Sequence, residues 1–262
     1  MYRWILKKAV PLPDVRKMKT AVFVGPHPDD IEIGAGGTVH RMVLQGAVVT
    51  FVLCTDGRSG TKDPVSEGEQ IAKIRRSESL AGAARLGVKD VRFLDFPDGG
   101  DYSERDLSRK LAEVLADIRP EIVFCPDPML RSEIHPDHLR TGNAVRTAVF
   151  WNGFASILRQ NGIPFDPQKV SQTPSPALAY FYTDHCNRKI ALSGANVKAK
   201  TEAILCHKSQ FSGLGAPEVQ GMFRYLKLRQ TAMGWSVLRL QAEGFFMMAP
   251  LHQHAFPEVL NF

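Results

Sequence analysis

The chain has 262 residues, 44% of them hydrophobic and 23% charged, enough for one large domain whose core needs neither disulfides nor a structural metal. Its formal charge of +6 is scattered in singles and pairs such as Lys7-Lys8 and Arg75-Arg76, which argues against a nucleic-acid partner. No run approaches the roughly 18 apolar residues of a membrane span, and the four cysteines, Cys54, Cys125, Cys186 and Cys206, form no C-x-x-C, as expected of free thiols in a reducing cytoplasm.

Taken in order, "MYRWILKKAVPLP" is a cationic arm whose longest apolar stretch, Trp4 to Leu6, is too short for a signal peptide. "TAVFVG", Thr20 to Gly25, reads as a first strand, and Gly37 to Gln45 as a helix stopped before Gly46. "AVVTFVLCT", Ala47 to Thr55, is a continuous apolar strand, followed by a long helical pattern from Glu67 to Leu86 with Gly87 as its stop. "VRFLDF" from Val91 is the next strand, Leu107 to Ile118 a helix ended by Pro120, "EIVFCP" from Glu121 to Pro126 a fourth strand, and His138 to Leu158 again helical. Asn161 to Ala177, rich in Pro, Ser, Gln and Asn, reads as a loop, lid or joint; beyond it "LAYFY" and "GFFMM" are strand-like and Lys198 to Cys206 helical.

Alternating strands and helices predict an α/β fold, a Rossmann-like doubly wound, mostly parallel sheet over residues 20–158, with a smaller C-terminal α/β elaboration over 159–262. The whole is expected to be a single domain, 1–262, without internal repeats.

Two short segments carry the chemistry. "VGPHPDDIEIGAGGT" places His27, Asp29 and Asp30 just past the first strand, and "RSEIHPDHLRTG" places His135, Asp137 and His138 past the fourth. In the commonest doubly wound order these strands are neighbours, so both loops belong at the carboxyl end of the sheet where ligands bind. One His-Pro-Asp could be a simple turn. Turn chemistry does not demand a second at a matching strand end. His27, Asp30 and His138 would give a His2Asp set, three ligands with an open position, as a catalytic zinc requires. Asp29 and His135 would then stand beside the metal, as a base for water and as a stabiliser or acid, with Asp137 orienting His135. The glycines of "GAGGT" fail a dinucleotide fingerprint, because Val39 stands where Gly is needed; close helix packing is the better reading.

These segments resemble the LmbE/PIG-L family of zinc-dependent N-acetylglucosaminyl de-N-acetylases. The likeness extends to "TDGRSGT", "IRRSESLAGAARLGV" and "FPDGG", and more weakly to "KAKTEAILCHKSQF" and "AEGFF". The resemblance implies a zinc-dependent hydrolase that removes the N-acetyl group from an N-acetylglucosamine-containing or related amino sugar and releases acetate. It implies one Zn2+ per chain on His27, Asp30 and His138, replaceable by other divalent metals, with Asp29 as general base and His135, partnered by Asp137, as acid and intermediate stabiliser. Arg75, or its neighbour Arg76, and Asp98 fall where the family contacts sugar hydroxyls. The sequence departs at Ile31, where the family often has Glu. A homo-oligomer, trimer or hexamer, and a cytoplasmic location are implied too. Alternatives are a zinc amidase for another amide, such as a thiol-glycoside conjugate or an antibiotic-pathway intermediate, and a non-catalytic sugar-binding homologue. Substrate choice is expected from Asp63 to Glu67 and Asn161 to Pro176; His207, in "CHKSQ", is a lesser candidate for the site, and His40 and His185 are expected as helix-face or surface imidazoles.

Overall fold

A computed structural model describes residues 2–60, 68–211 and 214–254; the expected substrate loop Asp63 to Glu67 lies outside them. In chain order the elements are α1 (Tyr2–Ala9), β1 (Thr20–Gly25), α2 (Asp30–Leu44), β2 (Val48–Thr55), α3 (Glu69–Arg85), β3 (Asp90–Phe96), α4 (Glu104–Ile118), β4 (Ile122–Pro126), α5 (Pro136–Asn152), α6 (Ala155–Gln160), α7 (Pro167–Gln172), β5 (Ala177–Phe181), β6 (Arg188–Leu192), α8 (Gly194–Ile204), α9 (Lys208–Phe211), α10 (Ala216–Trp235) and β7 (Gln241–Met248), closed by a 3-10 turn at Pro250–Gln253. The strands form one seven-stranded, mostly parallel sheet in the order β3-β2-β1-β4-β5-β7-β6. This is the expected α/β class.

The chain divides into two compact units, residues 1–24, 102–188 and 245–262, and residues 25–101 and 189–244. In the first, β1 and β4 are parallel neighbours with Val22 opposite Val123, and β4 runs parallel to β5 with Phe124 opposite Ala179. Every residue of β4 and β5 is buried, as continuous apolar strands covered on both faces must be. Phe23 stacks on Phe124 at 4.2 Å between centroids. The helix α4 is capped by Ser103, whose hydroxyl accepts from Asp106 N–H, and buries Leu107, Leu111 and Leu115 along one stripe.

In the second unit β2 pairs with β3, and α2 packs on α8. Here the helix expected over Gly37 to Gln45 begins seven residues earlier, at Asp30, and takes the glycine cluster inside it. Glycine is a poor helix former, but a Cβ on Gly37 would stand 2.6 Å from Leu192 Cδ1. Close packing therefore outweighs propensity. Glu243 closes the same contact: its buried carboxylate accepts from Gly37 N–H, Thr38 N–H, the Thr38 hydroxyl and, at 2.6 Å, Lys200 Nζ.

Other expectations need correction. The helix expected from His138 to Leu158 starts at Pro136, breaks at Gly153 and resumes as α6. The stretch Asn161 to Ala177 is not all loop; Asp166 caps α7 within it. The elements α1, β6 and α10 carried no sequence signal that marked them.

Candidate active site

Each unit positions its own set of polar side chains. In the second unit the chain leaves β1 at Gly25 and turns through Pro26 to Asp29 before α2. Pro26 C=O accepts from both the amide and the hydroxyl of Thr55, which ties this turn to the end of β2. Asp29 stands at the N-cap of α2 with φ 106° and ψ −27°, a left-handed backbone that a non-glycine residue adopts only at some cost.

His27 is buried between two carboxylates. Its Nδ1 lies 3.2 Å from Asp30 Oδ2 and its Nε2 lies 3.1 Å from Asp98 Oδ1. A neutral imidazole carries one N–H, so only one of these contacts can be a hydrogen bond. The other sets a ring lone pair against a carboxylate oxygen, which is repulsive unless a second proton or a cation intervenes. This arrangement suits a bound divalent cation.

Arg75 of α3 is 1% exposed. Its Nη2 donates to Pro28 C=O at 2.8 Å and its Nη1 to Gly57 C=O at 3.0 Å, with Asp29 Oδ2 and Asp98 Oδ2 at 3.7 and 4.0 Å. It braces the turn from inside. A Cβ on Gly60 would stand 1.7 Å from Arg75 Nη1, so this position has room for glycine alone. The neighbouring Arg76 is the exposed one, lying over the Phe93 ring and paired with Asp95; with Pro28 it lines a small cavity. Asp98 accepts from Ser59 N–H at 3.2 Å and, through its own N–H, donates to Asp56.

Behind Asp29, His207 is fully buried with its Nε2 3.0 Å from Glu32 Oε1. A Cβ on Gly82 would meet both, at 3.0 and 2.6 Å, so that glycine makes room for the pair. Burial works against the charged His207 ring, but Glu32 outweighs it and the pKa is raised above 6.5. Burial and Asp30 push Asp29 up to about 7, against Arg75 and His207.

In the first unit, the loop after β4 leads to His135 at the N-cap of α5, where Pro136 occupies the first turn. His135 Nδ1 accepts from Asp137 N–H at 3.3 Å, which leaves Nε2 for the proton of the neutral ring. Asp137 thus contacts His135 through its main chain, and the fully buried Asp137 carboxylate accepts the Tyr102 hydroxyl at 2.8 Å, with Arg140 at 3.6 Å. Glu133 joins both histidines: its Oε1 accepts from His135 N–H at 2.9 Å and its Oε2 lies 2.8 Å from His138 Nδ1. The Tyr182 ring, on a residue with φ 53°, lies parallel to that of His138 with centroids 6.1 Å apart.

His27, Asp30 and Asp98 of the second unit, and His135, Asp137 and His138 of the first, are each among the side chains that could ligate a metal ion. Sequence reasoning missed Glu133, Tyr102, Tyr182 and Glu32. Glu133, two residues before His135, and Glu32, two residues after Asp30, stood close enough to the motifs to have been found.

Comparison with known proteins extends these observations. The family described as PIG-L, GlcNAc-PI de-N-acetylase, matches residues 22–149. Diacetylchitobiose deacetylase of Thermococcus kodakarensis is 35% identical over 202 residues, 77% of this chain and 72% of the relative. The 1D-myo-inositol 2-acetamido-2-deoxy-alpha-D-glucopyranoside deacetylase of Saccharomonospora viridis is 32% identical over 234 residues, 73% and 85% of the two chains. Among solved structures, N,N'-diacetylchitobiose deacetylase from Pyrococcus horikoshii, in complex with its inhibitor MPG, superposes with a TM-score of 0.86 at 30% identity, covering 98% of this chain and 94% of that one. With its two His-Pro-Asp segments at the ends of adjacent parallel strands and relatives of this similarity over most of their length, the chain belongs to the PIG-L family of de-N-acetylases.

Proposed function

We propose that this enzyme is a divalent-metal hydrolase that removes acetate from an N-acetylglucosamine-type amino sugar. The observation that carries the metal is His27, held between two carboxylates at hydrogen-bond distance from both ring nitrogens. His27, Asp30 and His138 are the proposed ligands, a nitrogen and oxygen set that suits zinc without strongly excluding other divalent ions. A divalent cation held there would supply Lewis acidity toward the amide carbonyl and make the attacking water more acidic.

The chain's own residues do the rest. Asp29 takes a proton from the attacking water; a carboxylate raised toward neutrality is matched to that task. His135, with Nδ1 occupied by a main-chain N–H, directs its Nε2 proton outward, toward the developing oxyanion and then the departing amine. Water adds to the carbonyl carbon, the C–N bond breaks, the amine leaves with a proton and acetate is released. Asp137 anchors the first turn of α5 through Tyr102, and Arg75 holds the turn that carries Asp29. Asp98 and the exposed Arg76 are the proposed contacts to sugar hydroxyls. A single deacetylase domain acting as a cytoplasmic homo-oligomer is the setting this reading implies; four cysteines outside any disulfide accord with a reducing compartment.

Acetate release from a panel of N-acetylated sugars, before and after removal of metal by a chelator, tests the reading. Release that stops with chelation and returns with zinc is the expected result. Release that survives complete metal removal would overturn it.

A further inference from the structure

The proposed mechanism makes no use of Glu133, yet its carboxylate touches both histidines of the "HPDH" segment. Oε1 accepts from the amide of His135, and Oε2 lies 2.8 Å from Nδ1 of His138, with both side chains mostly buried at 17% and 14% exposure. The second contact is at ion-pair distance without full hydrogen-bond alignment. The missing alignment needs only a turn of the imidazole about its soft terminal torsion. The Tyr182 ring lies parallel to the same imidazole, with centroids 6.1 Å apart.

A histidine that binds a metal through one nitrogen usually gives the proton on the other to a carboxylate or carbonyl, which fixes tautomer and ring orientation. We propose that Glu133 is a positioning residue of this kind. It holds the proton of His138 on Nδ1 and so presents Nε2 to the metal. The same carboxylate, by fixing the amide of His135, keeps both histidines in one register on α5. This inference rests on the reading of His138 as a ligand. The partner of His27, by contrast, is set by Asp30 and Asp98 in its own unit.

The test is metal affinity, measured on the full chain by competition of Zn2+ with a chromophoric chelator. Glu133→Ala should bind zinc about 10- to 100-fold more weakly, the usual cost of losing such a partner. Glu133→Gln, whose amide oxygen still accepts a hydrogen bond, should fall between it and the wild type. A second readout uses the metal-free protein: in nitrogen-15 spectra of the imidazoles, His138 should carry its proton on Nδ1 in the wild type. In Glu133→Ala it should shift toward the Nε2–H form that free imidazole side chains favour. Unchanged affinity and tautomer in both variants would overturn the role of Glu133. If His138→Ala itself binds zinc as tightly as the wild type, the ligand assignment fails instead, and the two failures are told apart. Should Glu133→Ala not fold, the Gln variant carries both measurements.

Discussion

The two units build their functional groups by different means. Around His27, position comes from contacts that span long stretches of chain: Arg75 to Pro28 across 47 residues and Asp98 to Ser59 across 39. Around His138 it comes mainly from a single helix entrance, where Glu133, His135 and Asp137 bond one another over two residues. The first arrangement is part of the unit's core, with Arg75 among its largest fully buried side chains. The second is mostly a local capping structure, with Tyr102 reaching in to Asp137. Substitutions around His27 should therefore lower stability and activity together, whereas those around His138 should lower metal binding or rate while the fold stands.

The sharpest way to break this contrast is to remove each histidine. His27→Ala and His138→Ala should both lose zinc by elemental analysis, since three ligands are the minimum for a tight catalytic site. Only His27→Ala should also change the melting temperature in the metal-free protein, because it leaves Asp30 and Asp98 facing each other without the ring. Equal melting temperatures would dissolve the distinction between core and cap.

Asp29→Asn should retain zinc and lose about 10²- to 10⁴-fold in kcat, the range for removal of a general base. Loss of the metal would exchange the roles of Asp29 and Asp30.

The pair Glu32 and His207 tests the buried side by pH. Glu32→Gln should destabilise by about 3–5 kcal/mol, the cost of breaking a buried ion pair from one side. The sign of its pH dependence follows from the raised pKa of His207. A group whose proton is held more tightly in the folded state contributes in full below its unfolded value, 6.5, and loses that contribution as pH rises through the folded value. Wild-type stability, followed by denaturant titration, should therefore fall above neutrality relative to Glu32→Gln. Parallel curves for the two proteins would mean that His207 is neutral in the fold.

For Arg75→Lys, an ammonium cannot serve two carbonyls in the guanidinium's fork. Leaving one buried carbonyl without a partner costs about 1–3 kcal/mol, so the expected signature is a lower melting temperature with a lower kcat. A raised KM at unchanged stability would instead make Arg75 a direct sugar contact. Arg76→Ala should be the mildest, under about 1 kcal/mol in stability as befits an exposed pair, and visible mainly in KM.

How much of this was legible in the sequence divides along the same line. β1, β2 and β4 announced themselves as short, continuous apolar runs, and β3 as a β-branched and aromatic stretch interrupted by charges; His27, Asp29, Asp30, His135, Asp137 and His138 stood in motifs that need no knowledge of distant chain. Glu243, Lys200 and Glu32 did not, and His207 stood out only as a lesser candidate, because their meaning lies in partners 43 to 206 residues away. The onset of α2 was missed for the same reason: glycines count against a helix until Leu192 and Lys200 are known to press on them. Over α10 only Gln230 and Gly234 are buried, so no apolar stripe marks it. β6, "RKIAL", carries charges in a strand too short to show its alternation.

The left-handed backbone of Asp29 bears on how this position can be probed and how it can drift. At φ 106° a side chain with a Cβ is uncomfortable, and Asn and Asp are the residues that tolerate positive φ best after glycine. An alanine there would report the missing carboxylate and a strained main chain as one number. A glycine would report the missing carboxylate with the main chain relaxed, and an asparagine the missing charge with the shape kept. Comparing the three separates chemistry from geometry at a single residue. The same preference narrows the paths open to mutation: a lineage that abandons hydrolysis while keeping this turn has two easy replacements at position 29, Asn and Gly, and any other residue there would signal that the turn itself has been rebuilt.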